Sequence, residues 1–395
     1  MKKTAVITLL IFELSGAREI GLRELVESAK APKLLLQRVQ ERTLAVESKS
    51  LADIESAPFT LNHAISNVNS KTLSGYEYEF SLSKEFKLGN IQKLEQKQTK
   101  LSNEAYTIEA FKGVVSYENS LKNLYHQYCL EEDYLDAFEN KYANFSSLYE
   151  KKSRAFREDE ISKKELLQLE LEKRTLEAEL ARLQTRKEDK REMLFSLTTI
   201  NSDNRLSCQD IYPIVSSIEL NDTFSLTHRA YEKRIESTQV GLKRYSQKLE
   251  SIELSTGYTK ELDRDLYTIG ISLPLNFTSN KSEYEKATLL HESSAISLQN
   301  EQELQEKSYR VEELKKQLKR LFNDINVKRE NINHYQEMLL PLMKKSYNYG
   351  ESSVIEYLLH EQKLYGLKEK LLEREKEYYH TLFELYSVSE IKESR

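Results

Sequence analysis

Glycine and proline are scarce in this chain, with 10 and 5 among its 395 residues. Because tight turns depend on these two residue types, folds built from many short elements are excluded. Proline is absent from 59–212 and glycine from 114–240, while charged residues make up 31% of the sequence. Such stretches, with regularly spaced apolar residues, predict long helices with narrow buried seams. Phosphate-binding loops of the forms GxGxxG and GxxxxGKS/T do not occur, so a nucleotide-binding enzyme is not expected.

Neither sign of charge dominates, since 59 basic residues stand against 64 acidic ones and the formal net charge is −5. The charges are interspersed, which excludes a nucleic-acid partner. Only two cysteines occur, Cys129 and Cys208, and whether they are bonded to each other stays open. His126 and Cys129 lie one helical turn apart, but the further ligands of a metal site are not visible nearby. We predict a packed cysteine, a surface histidine and no metal, cofactor, catalytic residue or enzyme activity.

The N-terminus has the pattern of a secretory signal. Met1-Lys2-Lys3 precede the apolar run 4–12, and Ser15-Gly16-Ala17 supply a small-x-small cleavage site. We predict a signal peptide over 1–17; the alternative is a buried N-terminal helix segment.

Two segments alternate strictly between apolar and polar residues, which predicts strands with one apolar and one wet face. Each segment suggests a pair of strands, near 58–86 and near 250–277. Long helices with heptad spacing follow each pair, and each is broken once, near 150–160 and near 346–353. Two heptad helices joined by a short polar link predict an antiparallel coiled-coil hairpin.

The order of elements recurs, which predicts an internal duplication. The two predicted structural repeats are 18–200 and 222–395, joined by a mid-chain linker at 201–221. Sequence matches place the halves 191 residues apart at the strands and 193 apart at the helix breaks. At the breaks, this assigns Arg157 of the first half to a position near Gly350 of the second.

Four amphipathic strands cannot close into a barrel and would leave two bare edges. Three chains would supply twelve strands, enough for a water-filled lumen. The tyrosine, phenylalanine, leucine and isoleucine side chains would then face lipid, and the glutamate, serine, threonine and asparagine side chains the lumen.

At this point the chain resembles the TolC-like outer-membrane channels of efflux pumps and type I secretion. The resemblance is carried by the order of elements, by Ala31-Pro32-Lys33-Leu34, by the strand 269–275 (IGISLPL) and by the segment 349–358 (YGESSVIEYL). It implies a mainly α fold with a small β part, in which duplicated coiled-coil hairpins and four strands per chain form a homotrimer. That trimer would be a 12-stranded β-barrel in the outer membrane on an α-helical tunnel in the periplasm. The implied partners are outer-membrane lipid, a periplasmic adaptor (membrane fusion) protein and an inner-membrane transporter.

Functional residues are expected at the two helix breaks, which lie about 60 helical residues from the strands. We predict adaptor contacts at these tips, made by six residues: Phe156, Ile161, Tyr349, Gly350, Ser352 and Ser353. Glu356 is predicted to lie on a wet face, where the resemblance implies a periplasmic constriction, although Leu359 replaces the family's second acidic residue. Lys163, its counterpart under the 193 offset, is predicted to pair with it and hold the gate closed. Two alternatives remain, a structural periplasmic coiled coil and an adaptor protein without a channel.

Overall fold

The computed structural model describes residues 18–54, 57–69, 74–88, 90–220, 225–247, 249–274 and 280–391. The predicted signal peptide lies outside these residues. The elements of the first half, in chain order, are β1 (Glu19–Ile20), α1 (Leu22–Glu27), α2 (Lys30–Ile54), β2 (Thr60–Asn69), β3 (Ser74–Lys87), α3 (Ile91–Arg157), α4 (Lys163–Ser196) and β4 (Arg205–Leu206). Those of the second half are α5 (Leu226–Tyr245), β5 (Ser251–Lys260), β6 (Asp265–Ser272), α6 (Lys281–His334), α7 (Leu340–Asn348) and α8 (Val354–Val388).

The bounds of the two halves recur at one constant offset. Strand β5 begins and ends 191 residues after β2, and α8 begins 191 residues after α4. The offset of 193 predicted at the helix breaks is therefore wrong, because the 191 found at the strands also holds there. This changes which residues of the two halves correspond.

The chain folds into two compact units, each drawn from both halves of the sequence. One unit holds 1–33, 115–220 and 310–395, and the other holds 34–114 and 221–309. The four longer strands lie in the second unit, and both helix reversals lie in the first. Among the described residues, no helix combines the length and apolarity needed to cross a membrane.

Helices α3 and α4 form the predicted antiparallel hairpin. Tyr142 donates a hydrogen bond to Glu177 at 2.8 Å, and farther from the reversal Lys190 donates to Gln127 at 3.0 Å. The leucine heptad of α4 is the buried seam, since Leu169, Leu176 and Leu183 are all at most 4% exposed. Burying one leucine side chain contributes about 1.5–3 kcal/mol, so this seam stabilises the hairpin far more than its surface ion pairs do.

The four-stranded sheet is antiparallel throughout and has the order β2-β3-β5-β6. Strands β3 and β5 pair over ten residues, from Tyr78 opposite Lys260 to Lys87 opposite Ser251. This central pairing joins the two predicted hairpins into one sheet, whose outer strands are β2 and β6.

The mid-chain segment is fastened to the helices of the first unit. A disulfide joins Cys129 of α3 to Cys208, closing a loop with a sequence separation of 79 residues. Nearby, the backbone N–H of Tyr212 donates to Nε2 of His126 at 2.9 Å, and Nδ1 of His126 donates to the carbonyl of Lys122 at 2.8 Å. His126 is fully buried, so the predicted surface position is wrong. The heptad pattern could not reveal this, because the loop that covers His126 comes from 86 residues further along the chain.

One irregularity distinguishes the second long helix from the first. Between α6 and α7 the backbone forms a π-helical turn, Tyr335–Leu339, which precedes Pro341 in the first turn of α7. The corresponding part of α3 continues without interruption to Arg157.

Candidate functional site

The first helix reversal connects α3 to α4 through a left-handed residue. Asp159 has φ of 59°, and the N–H of Glu160 donates to the carbonyl of Ala155 while that of Asp159 donates to Phe156. These two bonds define a Schellman ending of α3. Ser162 then starts α4, its hydroxyl accepting the N–H of Glu165 at 3.2 Å.

The second reversal, between α7 and α8, has the same construction. Gly350 has φ of +75°, and the N–H of Glu351 donates to the carbonyl of Ser346. Ser353 caps α8 by accepting the N–H of Glu356 at 3.2 Å. Glycine adopts this left-handed conformation without the steric cost that Asp159 bears in the first reversal.

The shared geometry corrects two sequence predictions. The left-handed residues are Asp159 and Gly350, so Arg157 is not the counterpart of Gly350. The two N-caps place Glu165, rather than Lys163, opposite Glu356 in the other half. Both reversals therefore carry an acidic residue in the first turn of the outgoing helix, where the helix dipole favours negative charge.

Glu356 is exposed, as the sequence predicts, and it also caps its own helix. Its carboxylate accepts the N–H of Ser353 at 3.0 Å, which completes a capping box. Lys163 is exposed at the start of α4, and within the described part of this chain no ion pair joins it to Glu356. The intrachain form of the predicted lock is therefore wrong.

A different contact links the two reversals. Nζ of Lys152, on α3, is 3.2 Å from the carboxylate of Glu165 and 5.4 Å from the ring centroid of Tyr347, on α7. Partial burial acts to lower the pKa of Lys152, but hydrogen bonding to Tyr347 and Glu165 prevails and raises it. Tyr347 stacks on Tyr357 with ring centroids 5.8 Å apart, and Tyr357 donates to Glu361 at 2.6 Å. Sequence reasoning missed this contact because it joins residues 195 positions apart through packing alone.

The predicted tip residues occupy these two reversals, with different exposure. Tyr349 is 71% exposed, whereas Phe156 and Ile161 are half-buried. Ser352 corresponds to Ile161 at the 191 offset, and its hydroxyl is buried without a hydrogen-bond partner. The two reversals therefore present different chemistry on one backbone framework.

The sheet of the second unit is a separate candidate site, because its two faces differ sharply. The strand register places large apolar side chains in rows on one face. Most are well exposed, including Leu61 (70%), Ile65 (58%), Tyr76 (60%), Tyr267 (81%), Ile269 (90%) and Ile271 (65%). Lys84 lies on this face with its Nζ 4.6 Å from the ring centroid of Phe59. A contiguous exposed apolar surface of this kind marks contact with lipid or with another protein.

The opposite face of the sheet is polar. Its residues include Asn62, Ser66, Glu77, Glu79, Ser81, Ser83, Glu85, Glu253, Ser255, Thr268 and Ser272, with Val68 and Leu266 as the larger exceptions. The predicted separation of apolar and polar side chains onto two faces is thus confirmed.

Comparison with known proteins supports the fold. No protein-family model and no curated protein matches the sequence. The chain is similar to CusC, which forms a transmembrane channel, with 15% identity, a TM-score of 0.72 and coverage of 93% of this chain and 91% of that one. It is similar to the outer membrane channel CmeC of Campylobacter jejuni, with 12% identity, a TM-score of 0.72 and coverage of 93% and 85%. For the outer membrane protein VceC of Vibrio cholerae, the values are 13%, 0.71, 93% and 95%.

The fold is therefore that of outer-membrane channel proteins, over nearly the whole chain. The resemblance to TolC-like channels that the sequence indicates is confirmed at the level of the fold.

Proposed function

We propose that the chain is the outer-membrane channel of a tripartite efflux pump or type I secretion system. It would give exported substrates a passive exit across the periplasm and the outer membrane. The two-faced sheet is the observation that carries this proposal, since its apolar face suits lipid and its polar face suits a water-filled lumen.

The proposed assembly is a homotrimer. Alone, the sheet exposes its apolar face and the unpaired edges of β2 and β6. Pairing β6 of one protomer with β2 of the next would close twelve strands into a barrel, with the duplicated helical hairpins continuing it as a tunnel. A structural coiled coil would have no use for this sheet, which favours the channel over that alternative.

The test is assembly and conductance. The mature protein should extract from the outer membrane only with detergent, as a trimer, and should form ion-conducting pores in planar bilayers. A mature chain that is soluble and monodisperse without detergent would exclude the channel and favour the structural coiled coil.

The two reversals are proposed as the adaptor-docking end. Ser353 offers a sharp test, because Ser353→Asp retains a capping oxygen while adding a charge, whereas Ser353→Ala removes the cap at a cost of about 1 kcal/mol. If docking requires this surface, Ser353→Asp and Ser352→Lys should abolish export while trimers stay intact. Normal export in both variants would remove the assignment.

Glu356 is proposed to line the constriction, where three copies would surround one axis. Glu356→Gln keeps a capping oxygen but removes the charge, so any change in cation selectivity can be assigned to the charge alone. We further propose that Lys152 and Tyr347, rather than Lys163 and Glu356, hold the two reversals of one protomer together. Unchanged conductance, selectivity and cation block in Glu356→Gln and Glu356→Lys would place Glu356 on the outer surface.

A further inference from the structure

An open groove of about 750 Å³ lies among α3, α4 and α8 in the first unit. Its lining includes the aromatic rings of Tyr134, Phe138 and Tyr365. Thr175 of α4 and Gly366 of α8 also line it, and these two residues correspond at the 191 offset. We refer to it as the Lys141 groove, after the lysine of α3 that lines it.

Lys141 is only 7% exposed. Its Nζ is 4.2 Å from the ring centroid of Tyr365 and 5.3 Å from that of Phe138. Among the described residues, Lys141 makes no hydrogen bond or ion pair, so its three N–H donors have only these rings as partners. Burial lowers the pKa of Lys141, as expected for an ammonium group that lacks a compensating carboxylate.

An apolar residue would suit the internal packing better. Lys141 shares a helical face with the buried residues Tyr134, Phe138 and Phe145, and its counterpart at the 191 offset is Ile332, a core residue that is 5% exposed. Burying a charge without a partner is unfavourable, and an apolar replacement at such a position is often neutral or stabilising. The charge of Lys141 therefore has no role in the packing of this chain.

Gly366 is a second local departure in the same groove. It lies inside α8, where glycine is less favourable than alanine, yet no atom lies within 4 Å of the position that a Cβ would occupy. The space above this glycine is open. Neither packing within the chain nor a turn requires a glycine here.

We propose that the Lys141 groove receives an amphipathic helix of a partner protein, with a carboxylate of that helix paired to Lys141 and its backbone passing close to Gly366. The lining residues of α4 extend from Glu172 to Arg182, a rise of about 15 Å, which matches about three turns of a docked helix. This proposal rests on the proposed function only in placing that partner in the periplasm.

The charges around the groove favour a helix over a free anion. Glu172, Glu179 and Glu369 line the groove near Lys141 and would repel a small anion. A helix can instead present basic side chains to these carboxylates on either side of its own acidic residue. Such a pattern is complementary to the groove and would give the contact its register.

The test is site-specific photo-crosslinking in the native cell envelope, from a photoreactive amino acid placed at Thr175. Thr175 is exposed, and its hydroxyl donates only within α4, to the carbonyl of Leu171. The crosslinked peptide should come from another protein and should carry an acidic residue on a helical apolar face. Lys141→Met should lower the crosslinking yield by about 30-fold, the loss expected when one member of a buried charge pair is truncated.

Two further variants separate docking from folding. Gly366→Leu should block the groove without unfolding α8, because nothing lies within 4 Å of its Cβ position. Lys370→Leu is the matched control, since Lys370 is exposed one turn away and does not line the groove. Lys141→Glu should lose the crosslink, and reversing the acidic residue of the partner to lysine should restore it.

The proposal is overturned if the crosslink joins two copies of this chain, if none forms, or if Lys141→Met leaves the yield unchanged. Pore formation by the purified Lys141→Met protein, measured in planar bilayers, is independent of docking. A failure of the channel function and a failure of this docking site would therefore be distinguished.

Discussion

Acidification should destabilise the first unit through one group, the buried imidazole of His126. The neutral ring donates through Nδ1 to Lys122 and accepts through Nε2 from the backbone of Tyr212. Burial is the main cause that lowers its pKa from 6.5 to about 4, and the hydrogen bond to Lys122 opposes it only in part. Protonation would place a second donor against the Tyr212 N–H, so the mid-chain segment would lose an attachment.

The sign follows from this direction. Because the pKa is lower in the folded state, the unfolded chain binds more protons between these two values, and stability falls as pH decreases through that range. The contribution of His126 is fully present above its unfolded pKa and should shrink by about 3 kcal/mol on acidification from about pH 7 to about pH 4.

The assay compares unfolding free energies of detergent-solubilised wild type and His126→Gln across this pH range. Glutamine can accept the Tyr212 N–H but does not titrate, so the difference between the two proteins isolates His126 from all carboxylates. His380→Gln is the control, because His380 is exposed. If the difference between wild type and His126→Gln did not change with pH, the reasoning about the neutral buried imidazole would be refuted.

Three further predictions concern the disulfide and the reversals. Replacing Cys129 and Cys208 by serine should lower the unfolding free energy by about 4.5 kcal/mol, the loop-closure value for this separation, and reducing agent should destabilise wild type but not the variant. Lys152→Met should raise single-channel conductance if the Lys152–Tyr347 contact holds the reversals together, and equal conductance in both proteins would refute that role. Glu356→Ala should cost about 1 kcal/mol more than Glu356→Gln in thermal unfolding, since only glutamine keeps a capping oxygen; equal losses would show that the capping box does not stabilise α8.

Local pattern in the sequence determined most of the secondary structure. Alternation predicted strands near 58–86, and the structure has them at 60–69 and 74–87. Heptad spacing predicted the long helices, because a seam that repeats every seven residues can be buried only along one helical face. The π-helical turn at Tyr335–Leu339 was not predicted, since it leaves the periodicity nearly unchanged.

Only the tertiary structure decided how distant residues meet. The backbone hydrogen bonds of the reversals fixed the 191 offset, which made Glu165 the counterpart of Glu356, whereas sequence matching alone accepted a shift of two residues. The burial of His126 and the unpaired ammonium of Lys141 were equally inaccessible from the sequence. Periodicity reports which side of a helix is buried, but partners that come from other segments are selected by packing, and no local pattern encodes them.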